Sequence, residues 1–338
     1  MQCKFYPDDK EKIKDKLWYT LKRVFSFCCW YNILIGGRDY GKTYSIKSFF
    51  IKDFIDNGHR FAWFRTTDIA LDRIRRKEQF FGRLKNLEEL GIENYDIRRD
   101  VIYLNGQEAG YLFPIKTFHN IKGADYNVYN GCWDEFMRAK GEIAVHGKFE
   151  MFKDAVESVF RSGEKRVFLI SNSTNKYDEV LAPFNLELKD YGIYLYREKK
   201  TLIHYIMSSE EHKRLMEGNV STLLMSDAEK RYAVENKFTD FGDYGVADKA
   251  RYMFTIQTDD DKFISLYMAD GIMYVKDMIP KTKQVFKTLN PTYVNGKVTR
   301  LNNATRKIIS DMYSGGKVLF INGYCRDTFI NDFVMYGR

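Results

Sequence analysis

The sequence predicts an α/β chain of two domains joined by a helical linker. Up to about residue 200, apolar strand segments alternate with amphipathic helical segments, which is typical of a mainly parallel sheet. A glycine-rich loop lies between an early strand and a long helix. From about residue 240 the pattern becomes strand–turn–strand, which indicates a smaller α/β domain. We therefore predict domains at residues 1–205 and 240–338, with a helical linker at 206–239.

The glycine-rich loop matches the G-x-x-x-x-G-K-[ST] pattern of a P-loop. Small residues there let backbone N–H groups wrap a phosphate, the lysine reaches the β/γ-phosphates, and the hydroxyl ligates Mg²⁺. The apolar segment Tyr31–Ile35 precedes the loop, and a helix predicted over 45–56, with Phe49, Phe50 and Phe54, follows it. This order places phosphates at a helix N-terminus. The sequence thus predicts a P-loop NTPase domain whose nucleotide site is Gly36, Gly37, Arg38, Asp39, Tyr40, Gly41, Lys42 and Thr43.

The other elements follow from the same patterns. Further strands of the first domain are predicted at 60–65, 111–114, 128–133 and 167–171, with an inserted hairpin over 97–105 and an Asn105-Gly106 turn. Helix signals near 208 and 227 define the linker. In the second domain, strands are predicted at 252–257, 263–268 and 272–277, with turns at Asp259-Asp260-Asp261 and Asp270-Gly271, and a helix at 305–313. A last strand and helix close that domain.

Composition agrees with two domains in a reducing compartment. A chain of 338 residues exceeds what one core usually organises, and 44% hydrophobic residues suffice for two cores. Five cysteines show neither metal nor disulfide spacing, so we expect a reduced, intracellular chain. No apolar run reaches the ~18 residues of a membrane-spanning helix, so we expect no membrane partner.

The net charge of +8 permits a polyanionic partner. Two basic clusters carry much of it. Residues 278–310 include seven basic residues and no acidic one. Arg75 and Arg76 belong to a second cluster just after the strand at 60–65. Each cluster alone fits a solvated surface equally well, but an NTPase with both favours a nucleic-acid partner. The predicted nucleic-acid contacts are Lys281, Lys283, Lys287, Arg75 and Arg76.

Adjacent carboxylates end the predicted strand at 128–133. An aspartate at a strand end beside a P-loop suits a Mg²⁺ contact, and the following glutamate can polarise an attacking water. Asp134 is therefore predicted as the metal residue and Glu135 as the catalytic base. The pair could instead cap a following helix.

A positively charged side chain placed against the γ-phosphate would complete a hydrolytic site. An arginine in this role contributes about 10³–10⁵ in rate. Arg161, between a helix and the strand at 167–171, is the candidate, although an arginine there could also satisfy the helix dipole. Ser171 and Asn172 at that strand's end could sense the γ-phosphate.

Asn175-Lys176-Tyr177-Asp178 matches N-K-x-D, the guanine-reading signature of GTPases. It lies four residues beyond the strand rather than at its tip. A GTPase would also carry D-x-x-G after the metal strand, and Asp134-Glu135-Phe136-Met137 has no glycine. We therefore reject a GTPase. A small-molecule kinase is disfavoured because a water-activating glutamate would be out of place there.

Four ordered segments resemble viral genome-packaging ATPases, specifically the phi29-type packaging motors of small tailed phages with protein-primed genomes. They span residues 31–175, and their order is far more specific than any one of them. The segments are the P-loop with Arg38, the strand Phe61-Ala62-Trp63-Phe64-Arg65, the run Ile121-Lys122-Gly123-Ala124-Asp125-Tyr126 followed by Trp133-Asp134-Glu135-Phe136, and Val159-Phe160-Arg161 followed by Ser171-Asn172.

The resemblance implies an additional-strand, catalytic-glutamate ATPase that uses ATP and Mg²⁺ and forms a ring, implied to be pentameric, on the portal of an empty capsid. Lys42, Thr43, Asp134 and Glu135 would act within one subunit. Arg161 would be the arginine finger given to a neighbouring subunit, and Lys122 a second basic residue there. The expected location is the host cytoplasm, transiently at the portal vertex, and not the mature virion. The use of a packaging RNA stays open.

For the second domain, the resemblance implies a ribonuclease-H-like fold that has lost its nuclease site. The sequence agrees, because two-metal cleavage needs converging carboxylates, including one within the first strand. Residues 252–257 supply none, and no glutamate follows Glu235.

These observations predict an ATP-driven motor that moves double-stranded viral DNA into a preformed capsid. Two alternatives stay open: a large terminase with an active nuclease, and a non-motor NTP-dependent nucleic-acid-binding switch. DNA-stimulated turnover separates the motor from the switch, and metal-dependent nicking separates the terminase from the motor.

Overall fold

The computed structural model describes residues 3–82, 84–121, 125–137, 145, 147–160, 165–173, 178, 180–181, 184, 188, 190–225, 230, 234–236, 249–257, 263–277, 285–287, 301–314 and 317–329. It divides into two compact units, one formed by Met1–Ala139 and Gly147–Thr239 and the other mainly by Asp240–Arg338. The predicted linker segment, 206–239, thus belongs to the first unit. Within the described ranges, no helix combines the length and hydrophobicity needed to cross a bilayer.

The first unit is built on one large sheet with helices beside it. Its strands are β1 (Lys4–Pro7), β2 (Tyr31–Ile35), β3 (Arg60–Arg65), β4 (Tyr95–Arg98), β5 (Val101–Leu104), β6 (Gln107–Pro114), β7 (Val128–Asp134), β8 (Arg166–Ser171), β9 (Gly192–Tyr196) and β10 (Thr201–Tyr205). Its α-helices are α1 (Lys10–Ile13), α2 (Lys22–Phe25), α3 (Lys42–Asn57), α4 (Asp68–Asp72), α5 (Lys77–Phe81), α6 (Lys148–Phe160), α7 (Glu210–Glu217) and α8 (Val220–Leu223).

The strand order of this sheet is β1-β9-β10-β2-β8-β7-β3-β6-β5-β4. Six consecutive strands of this order pair in parallel, namely β10, β2, β8, β7, β3 and β6. Strand β8 therefore lies between β2, which leads into the P-loop, and β7, which ends in the carboxylates. This extra strand is the feature that defines an additional-strand ATPase, so the predicted fold class of the first domain is confirmed. All six parallel strands end at the same edge of the sheet.

Two hydrophobic clusters cover the two faces of the sheet. Because side chains alternate along a strand, Trp63 faces the cluster that contains Phe50 of α3, whereas Phe64 faces the cluster that contains Phe152 of α6. The ring centroids of Phe50 and Trp63 are 6.2 Å apart, and those of Phe64 and Phe152 are 5.5 Å apart. Burial on both faces explains why these strands read as nearly continuous apolar runs.

The five strands predicted for the first unit correspond to β2, β3, β6, β7 and β8, while β1, β9 and β10 were not predicted. The inserted hairpin and its Asn105-Gly106 turn are observed, together with a second turn that was not predicted. Arg99 and Asp100, with φ of 48° and 68°, join β4 to β5, and Asn105 and Gly106, with φ of 49° and 78°, join β5 to β6. Positive φ at both central residues is typical of type I′ hairpin turns.

A buried polar network fastens the N-terminal segment to β10. The Asp8 side chain, only 4% exposed, accepts hydrogen bonds from Arg23 and from the Met207 N–H at 3.0 Å. It also lies 3.1 Å from His204 Nε2, and His204 Nδ1 is hydrogen-bonded to the Tyr19 hydroxyl at 3.0 Å. Residues distant in sequence are thereby fixed beside the P-loop strand.

Helix α7, in the predicted linker, is attached to the same N-terminal segment. Ser209 caps it by accepting from the His212 N–H at 3.0 Å, and its hydroxyl donates to the Lys16 carbonyl at 2.5 Å. The Glu211 N–H donates to the Lys14 carbonyl at 3.1 Å. These contacts hold α7 against the chain that enters the P-loop strand.

The second unit has its own five-stranded sheet, in the order β14-β11-β12-β13-β15. Strands β11, β12 and β13 form an antiparallel meander, β14 is parallel to β11, and β15 is parallel to β13. The meander followed by a strand parallel to its first member agrees with the ribonuclease-H-like prediction. The elements are β11 (Arg251–Gln257), β12 (Phe263–Ala269), β13 (Ile272–Lys276), β14 (Val285–Lys287), α9 (Asn303–Ser314), β15 (Val318–Phe320) and α10 (Gly323–Phe329).

The middle of β11 carries a hydroxyl pair. Thr255 Oγ1 lies 2.7 Å from Ser265 Oγ on β12, and both residues are fully buried. The turn between β12 and β13 uses Asp270 and Gly271 at positive φ, as predicted. The predicted turn at 259–261 lies outside the described residues. The buried centre of β11 thus carries the hydroxyl of Thr255.

Candidate nucleotide-binding site

The P-loop connects β2 to α3 at the edge where the parallel strands end. The Gly36 N–H donates to the Ser171 carbonyl at 3.2 Å, and the Ile206 N–H donates to the Ile35 carbonyl at 2.8 Å, so both neighbouring strands hold the loop. Gly41 immediately precedes α3 at φ 90°, a left-handed conformation that favours glycine. The N-terminus of α3 therefore opens toward the loop, where unpaired N–H groups can bind an anion.

Lys42 is buried and reaches back across the loop. Its Nζ donates to the carbonyls of Gly36 at 2.9 Å and Gly37 at 2.6 Å, and lies 3.5 Å from Asn172 Oδ1. Burial lowers the pKa of Lys42 to about 7, although the charges of Asp134, Asp39 and Glu135 partly offset this effect. A triphosphate would supply the negative charge that this buried ammonium lacks.

The two carboxylates at the end of β7 are held by an arginine that the sequence did not assign to them. Arg65, at the end of β3, donates through Nη1 to Asp134 Oδ2 at 2.9 Å and through Nη2 to Glu135 Oε2 at 2.5 Å. Burial disfavours the charged form of Arg65, but Asp134 and Glu135 raise its pKa overall. The guanidinium is therefore a permanent positive charge beside the predicted metal residue.

Asp134 and Glu135 differ in environment. The Asp134 side chain is 11% exposed, whereas that of Glu135 is 53% exposed. Glu135 also has a φ of 57°, a left-handed conformation that is uncommon outside glycine and is often found at functional sites. Asp134 is fixed within the edge of the sheet, and Glu135 projects toward solvent, where a water could reach it.

The remaining P-loop positions are divided between surface and interior. Arg38 and Asp39 are exposed, Tyr40 is buried and Thr43 is half-buried. Ser171 is buried at the end of β8, where its carbonyl holds the P-loop. Ser171 and Asn172 thus lie beside Gly36 and Lys42, which suits the predicted γ-phosphate contact.

Several predicted site residues lie outside the described residues: Lys122, Arg161, Lys281 and Lys283. Lys287 ends the short strand β14, and its side chain also lies outside the described set. The predictions for these residues stay predictions.

Arg75, predicted to contact nucleic acid, is engaged within the chain. It donates to Asp100 through Nε at 2.6 Å and Nη2 at 2.9 Å, and it also pairs with Asp72. The hydrogen bond that Arg75 donates to Asp100 is the main cause of the raised pKa of Arg75. Because acidic neighbours already compensate its charge, we retain Arg76, which is exposed, and set Arg75 aside as a DNA contact.

Asp178 of the rejected N-K-x-D motif also has a local partner. Its Oδ2 accepts from Lys148 Nζ at 2.6 Å, and the same ammonium donates to the Phe136 carbonyl at 2.6 Å. Both side chains are buried. Lys148 thus ties α6 to the residue after the carboxylate pair, and Asp178 is its buried counter-ion, which agrees with our rejection of a guanine-reading role.

Comparison with known proteins identifies the family of the chain. The profile of the podovirus DNA encapsidation protein (Gp16) family matches residues 13–334, nearly the whole chain. The chain belongs to this family.

Curated DNA packaging proteins of two Bacillus phages resemble the chain, one along most of its length and the other along half of it. The chain is 24% identical over 328 residues to the DNA packaging protein of Bacillus phage PZA, covering 92% of this chain and 93% of the relative. It is 25% identical over 173 residues to the DNA packaging protein of Bacillus phage phi29, covering 50% of this chain and 51% of that protein.

Solved structures share the fold. The chain superposes on a chain of the bacteriophage phi29 genome packaging motor assembly with a TM-score of 0.62 and 19% identity, covering 92% of this chain and 97% of the other. The N-terminal domain of the phi29 DNA packaging ATPase gives a TM-score of 0.50 and 23% identity, covering 56% and 96%. The first of these likenesses extends over both units, so the fold of the whole Gp16-family chain is established.

Proposed function

We propose that this Gp16-family chain is an ATP hydrolase that drives double-stranded viral DNA into a preformed capsid. One observation carries the proposal: β8 lies between β2 and β7, which brings Lys42 and the Asp134-Glu135 pair to the same edge of the sheet. The DNA packaging proteins related to this chain supply the biological context.

Each residue of the site has a distinct task in this proposal. Backbone N–H groups between Gly36 and Lys42 bind the phosphates, and Lys42 reaches the β/γ-phosphates. Thr43 and Asp134 are the residues that would hold Mg²⁺, which neutralises phosphate charge when bound. Glu135 accepts a proton from the attacking water. The donor set fits the ion, because Mg²⁺ in such sites is bound by one or two protein oxygens together with substrate phosphates.

Glu135 must leave Arg65 before it can act on water. The pair joins a side chain that is 8% exposed to one that is 53% exposed, so the glutamate is the member that is free to move. While Arg65 Nη2 donates to Glu135 Oε2, that oxygen is occupied and cannot accept a hydrogen bond from an attacking water in the same direction. Nucleotide binding beside Asp134 would change the charge around Arg65 and so weaken its ion pair with Glu135. The release of Glu135 would then couple ATP binding to hydrolysis.

The proposal extends to a ring of subunits. Arg161 would be supplied to the neighbouring subunit's nucleotide, with Lys122 as a second basic residue at that interface. The family resemblance implies a pentamer at the capsid portal, in the host cytoplasm and not in the mature virion. It also allows a packaging RNA as an optional component. A chain with this fold is part of the phi29 viral genome packaging motor assembly, which supports the proposal that this chain also works in an assembly.

The second unit is proposed to bind polyanions without cutting them. Thr255 occupies the centre of β11, the first strand of this unit, where a nuclease would need a carboxylate. The acid-free basic run at 278–310 supplies charge for phosphate contacts, through Lys281, Lys283 and Lys287.

Purified protein would be assayed for ATP turnover with and without linear double-stranded DNA, together with displacement of a third strand annealed to that DNA. A motor shows DNA-stimulated turnover and ATP-dependent displacement, and Lys42→Ala abolishes both. Turnover without DNA stimulation or displacement would contradict the motor and favour a switch. Nicking of plasmid DNA with Mg²⁺ or Mn²⁺ would instead favour a nuclease-bearing terminase.

A further inference from the structure

Basic side chains gather at the edge of the large sheet that lies opposite the P-loop. Strands β10, β2 and β8 are parallel neighbours, so their starts share this edge. Two short runs of sequence meet there, one at the start of β8 and one between β9 and β10, and Glu198 is their acidic member. The basic members, which we call the basic edge, are Lys165, Arg166, Arg197, Lys199 and Lys200.

Trp30 lies at the centre of the basic edge, immediately before β2. Its N–H donates to the Lys200 carbonyl at 2.9 Å, and its carbonyl accepts from the Val167 N–H at 2.7 Å, so its backbone joins the starts of β10 and β8. The Nζ atoms of Lys200 and Lys165 lie 3.8 and 5.9 Å from the centroid of the indole ring. The indole therefore draws two ammonium groups from different segments toward one point.

The positive charge of the basic edge is oriented but not neutralised. A cation–π contact attracts a cation to an aromatic ring without cancelling its charge. Within the described residues, the partners of Lys165, Arg166 and Lys200 are aromatic rings, and none of the three pairs with a carboxylate. Like charges held together in this way repel one another. An anionic partner would relieve that repulsion.

The dimensions of the basic edge fit an extended polyanion rather than a single anion. The strand register aligns the residues that follow Lys200, Trp30 and Arg166, so these three form a row across β10, β2 and β8. Neighbouring strands are about 4.8 Å apart, which makes this row about 10 Å long. One strand of a nucleic-acid duplex carries a phosphate every 3.4 Å or so along the axis, so about three phosphates would fit the row. A phosphodiester backbone presents charge at this regular spacing, and an acidic protein surface does not.

We propose that the basic edge binds the phosphodiester backbone of a nucleic acid, at a surface separate from the nucleotide site. Lys165, Arg197 and Lys200 would contact phosphates, and Trp30 would hold two of these side chains in place. The inference does not depend on ATP hydrolysis, because this surface lies at the edge opposite the P-loop. In the proposed motor it would be a further nucleic-acid contact, besides Arg76 and the lysines of the second unit.

Binding of duplex DNA, single-stranded DNA and duplex RNA would be titrated without nucleotide, from low to high salt. Replacing Lys165, Arg197 and Lys200 together by glutamine should weaken binding at least about tenfold at low salt. The slope of log affinity against log salt should fall by about 2 to 3, since each phosphate contact on a duplex contributes about 0.9. The ligand whose binding falls most identifies the kind of nucleic acid that uses the surface.

The matched control replaces three exposed lysines elsewhere in the first unit by glutamine, namely Lys12, Lys85 and Lys153. It changes the net charge by the same amount and should keep the parental affinity and slope. Equal weakening in both triple variants would show that only net charge matters and would overturn the inference. Parental binding by the basic-edge variant would overturn it as well.

Tryptophan fluorescence locates the contact without a change of charge, so it tests the inference even if the triple variant is unstable. Nucleic acid should change the emission of the parent and of Trp18→Phe, and Trp30→Phe should lose most of that change while it still binds. A change that persists in Trp30→Phe would place the contact elsewhere and contradict the proposal.

Two further outcomes separate this inference from its alternatives. Polyglutamate represents an acidic protein partner, and if it binds the basic edge as tightly as nucleic acid does, the assignment to a phosphodiester backbone fails. The basic-edge variant should keep the parental ATP turnover measured without nucleic acid. Absence of turnover in the parent would refute the proposed hydrolase, whereas loss of the effects on nucleic-acid binding would refute only the basic edge.

Discussion

Arg65 Nη1 donates to Asp134 Oδ2 at 2.9 Å, and this bond joins the ends of two neighbouring parallel strands. It occupies the carboxylate that the proposed mechanism assigns to Mg²⁺. The second guanidinium nitrogen of Arg65 holds Glu135, so one buried arginine restrains both carboxylates of the site. One guanidinium thus faces two carboxylates, and Glu135, the proposed catalytic base, is held in an ion pair.

Arg65→Ala should destabilise the nucleotide-free protein by about 3 kcal/mol, because removing one partner leaves the buried Asp134 charge uncompensated. Mg-ATP should restore part of that loss by placing a cation beside Asp134. Thermal denaturation with and without Mg-ATP would show a larger nucleotide-induced rise in melting temperature for Arg65→Ala than for the parent. Arg60→Ala, at the other end of β3, is the control. If Mg-ATP raises the melting temperature of Arg65→Ala and of the parent equally, the Arg65–Asp134 coupling is contradicted.

Glu135→Gln should bind ATP nearly as tightly as the parent but hydrolyse it at least about a hundredfold more slowly, because only proton acceptance from water is lost. Lys42→Ala should instead weaken binding. Turnover and equilibrium binding would be measured in parallel. Glu150→Gln, an exposed position on α6, should behave as the parent. Parental turnover in Glu135→Gln would show that the base lies elsewhere.

Arg161→Ala should bind ATP and assemble but fail to hydrolyse, since the arginine is expected to act on the neighbouring subunit's nucleotide. Mixing it with Glu135→Gln protein should restore part of the activity, because some interfaces then combine an intact glutamate with an intact arginine. The measurement is turnover against mixing ratio, with co-assembly verified. Co-assembled but inactive mixtures would contradict a site shared between subunits.

Asp8→Asn should lower stability near neutral pH by about 1–3 kcal/mol, because charged hydrogen bonds are lost. Burial alone would raise the pKa of Asp8, but the hydrogen bond and charge of His204, the Met207 N–H and Arg23 lower it overall from 3.8. A lowered folded-state pKa stabilises the fold above the unfolded-state value, and this stabilisation is lost as the pH falls through the folded-state value.

The difference between parent and Asp8→Asn should therefore shrink as the pH falls below about 4. Denaturant unfolding across the acid range would measure it, with Asp15→Asn, an exposed carboxylate on the same segment, as the control. A difference that does not change with pH would mean that Asp8 acts by packing alone.

Replacing Lys281, Lys283 and Lys287 together by alanine should weaken DNA binding similarly for all sequences and flatten its salt dependence. Each phosphate contact contributes about 0.9 to the slope of log affinity against log salt. Binding would be titrated from low to high salt, and the protein should not nick plasmid DNA with Mg²⁺ or Mn²⁺. An unchanged affinity and slope would mean that these lysines only solvate the surface.

The sequence by itself determined the P-loop, because its chemistry lies in eight consecutive residues between a strand and a helix. It also predicted that the Asp134-Glu135 pair ends a strand, and it predicted most strands of both sheets. These features depend on local order and on a period of two or 3.6 residues, both of which can be read along the chain. The turns at Asn105-Gly106 and Asp270-Gly271 could be predicted because a turn also depends on a few consecutive residues.

Only the tertiary structure decided which residues meet at the site. Arg65 reaches Asp134 because β3 and β7 are neighbours that end at one edge, and Asn172 reaches Lys42 because β8 is inserted between β2 and β7. Strands β9 and β10 and the Asp8 network likewise depend on pairing between distant segments. Many different strand orders would bury the same apolar faces. The hydrophobic periodicity of the strands therefore does not by itself specify their order in the sheet.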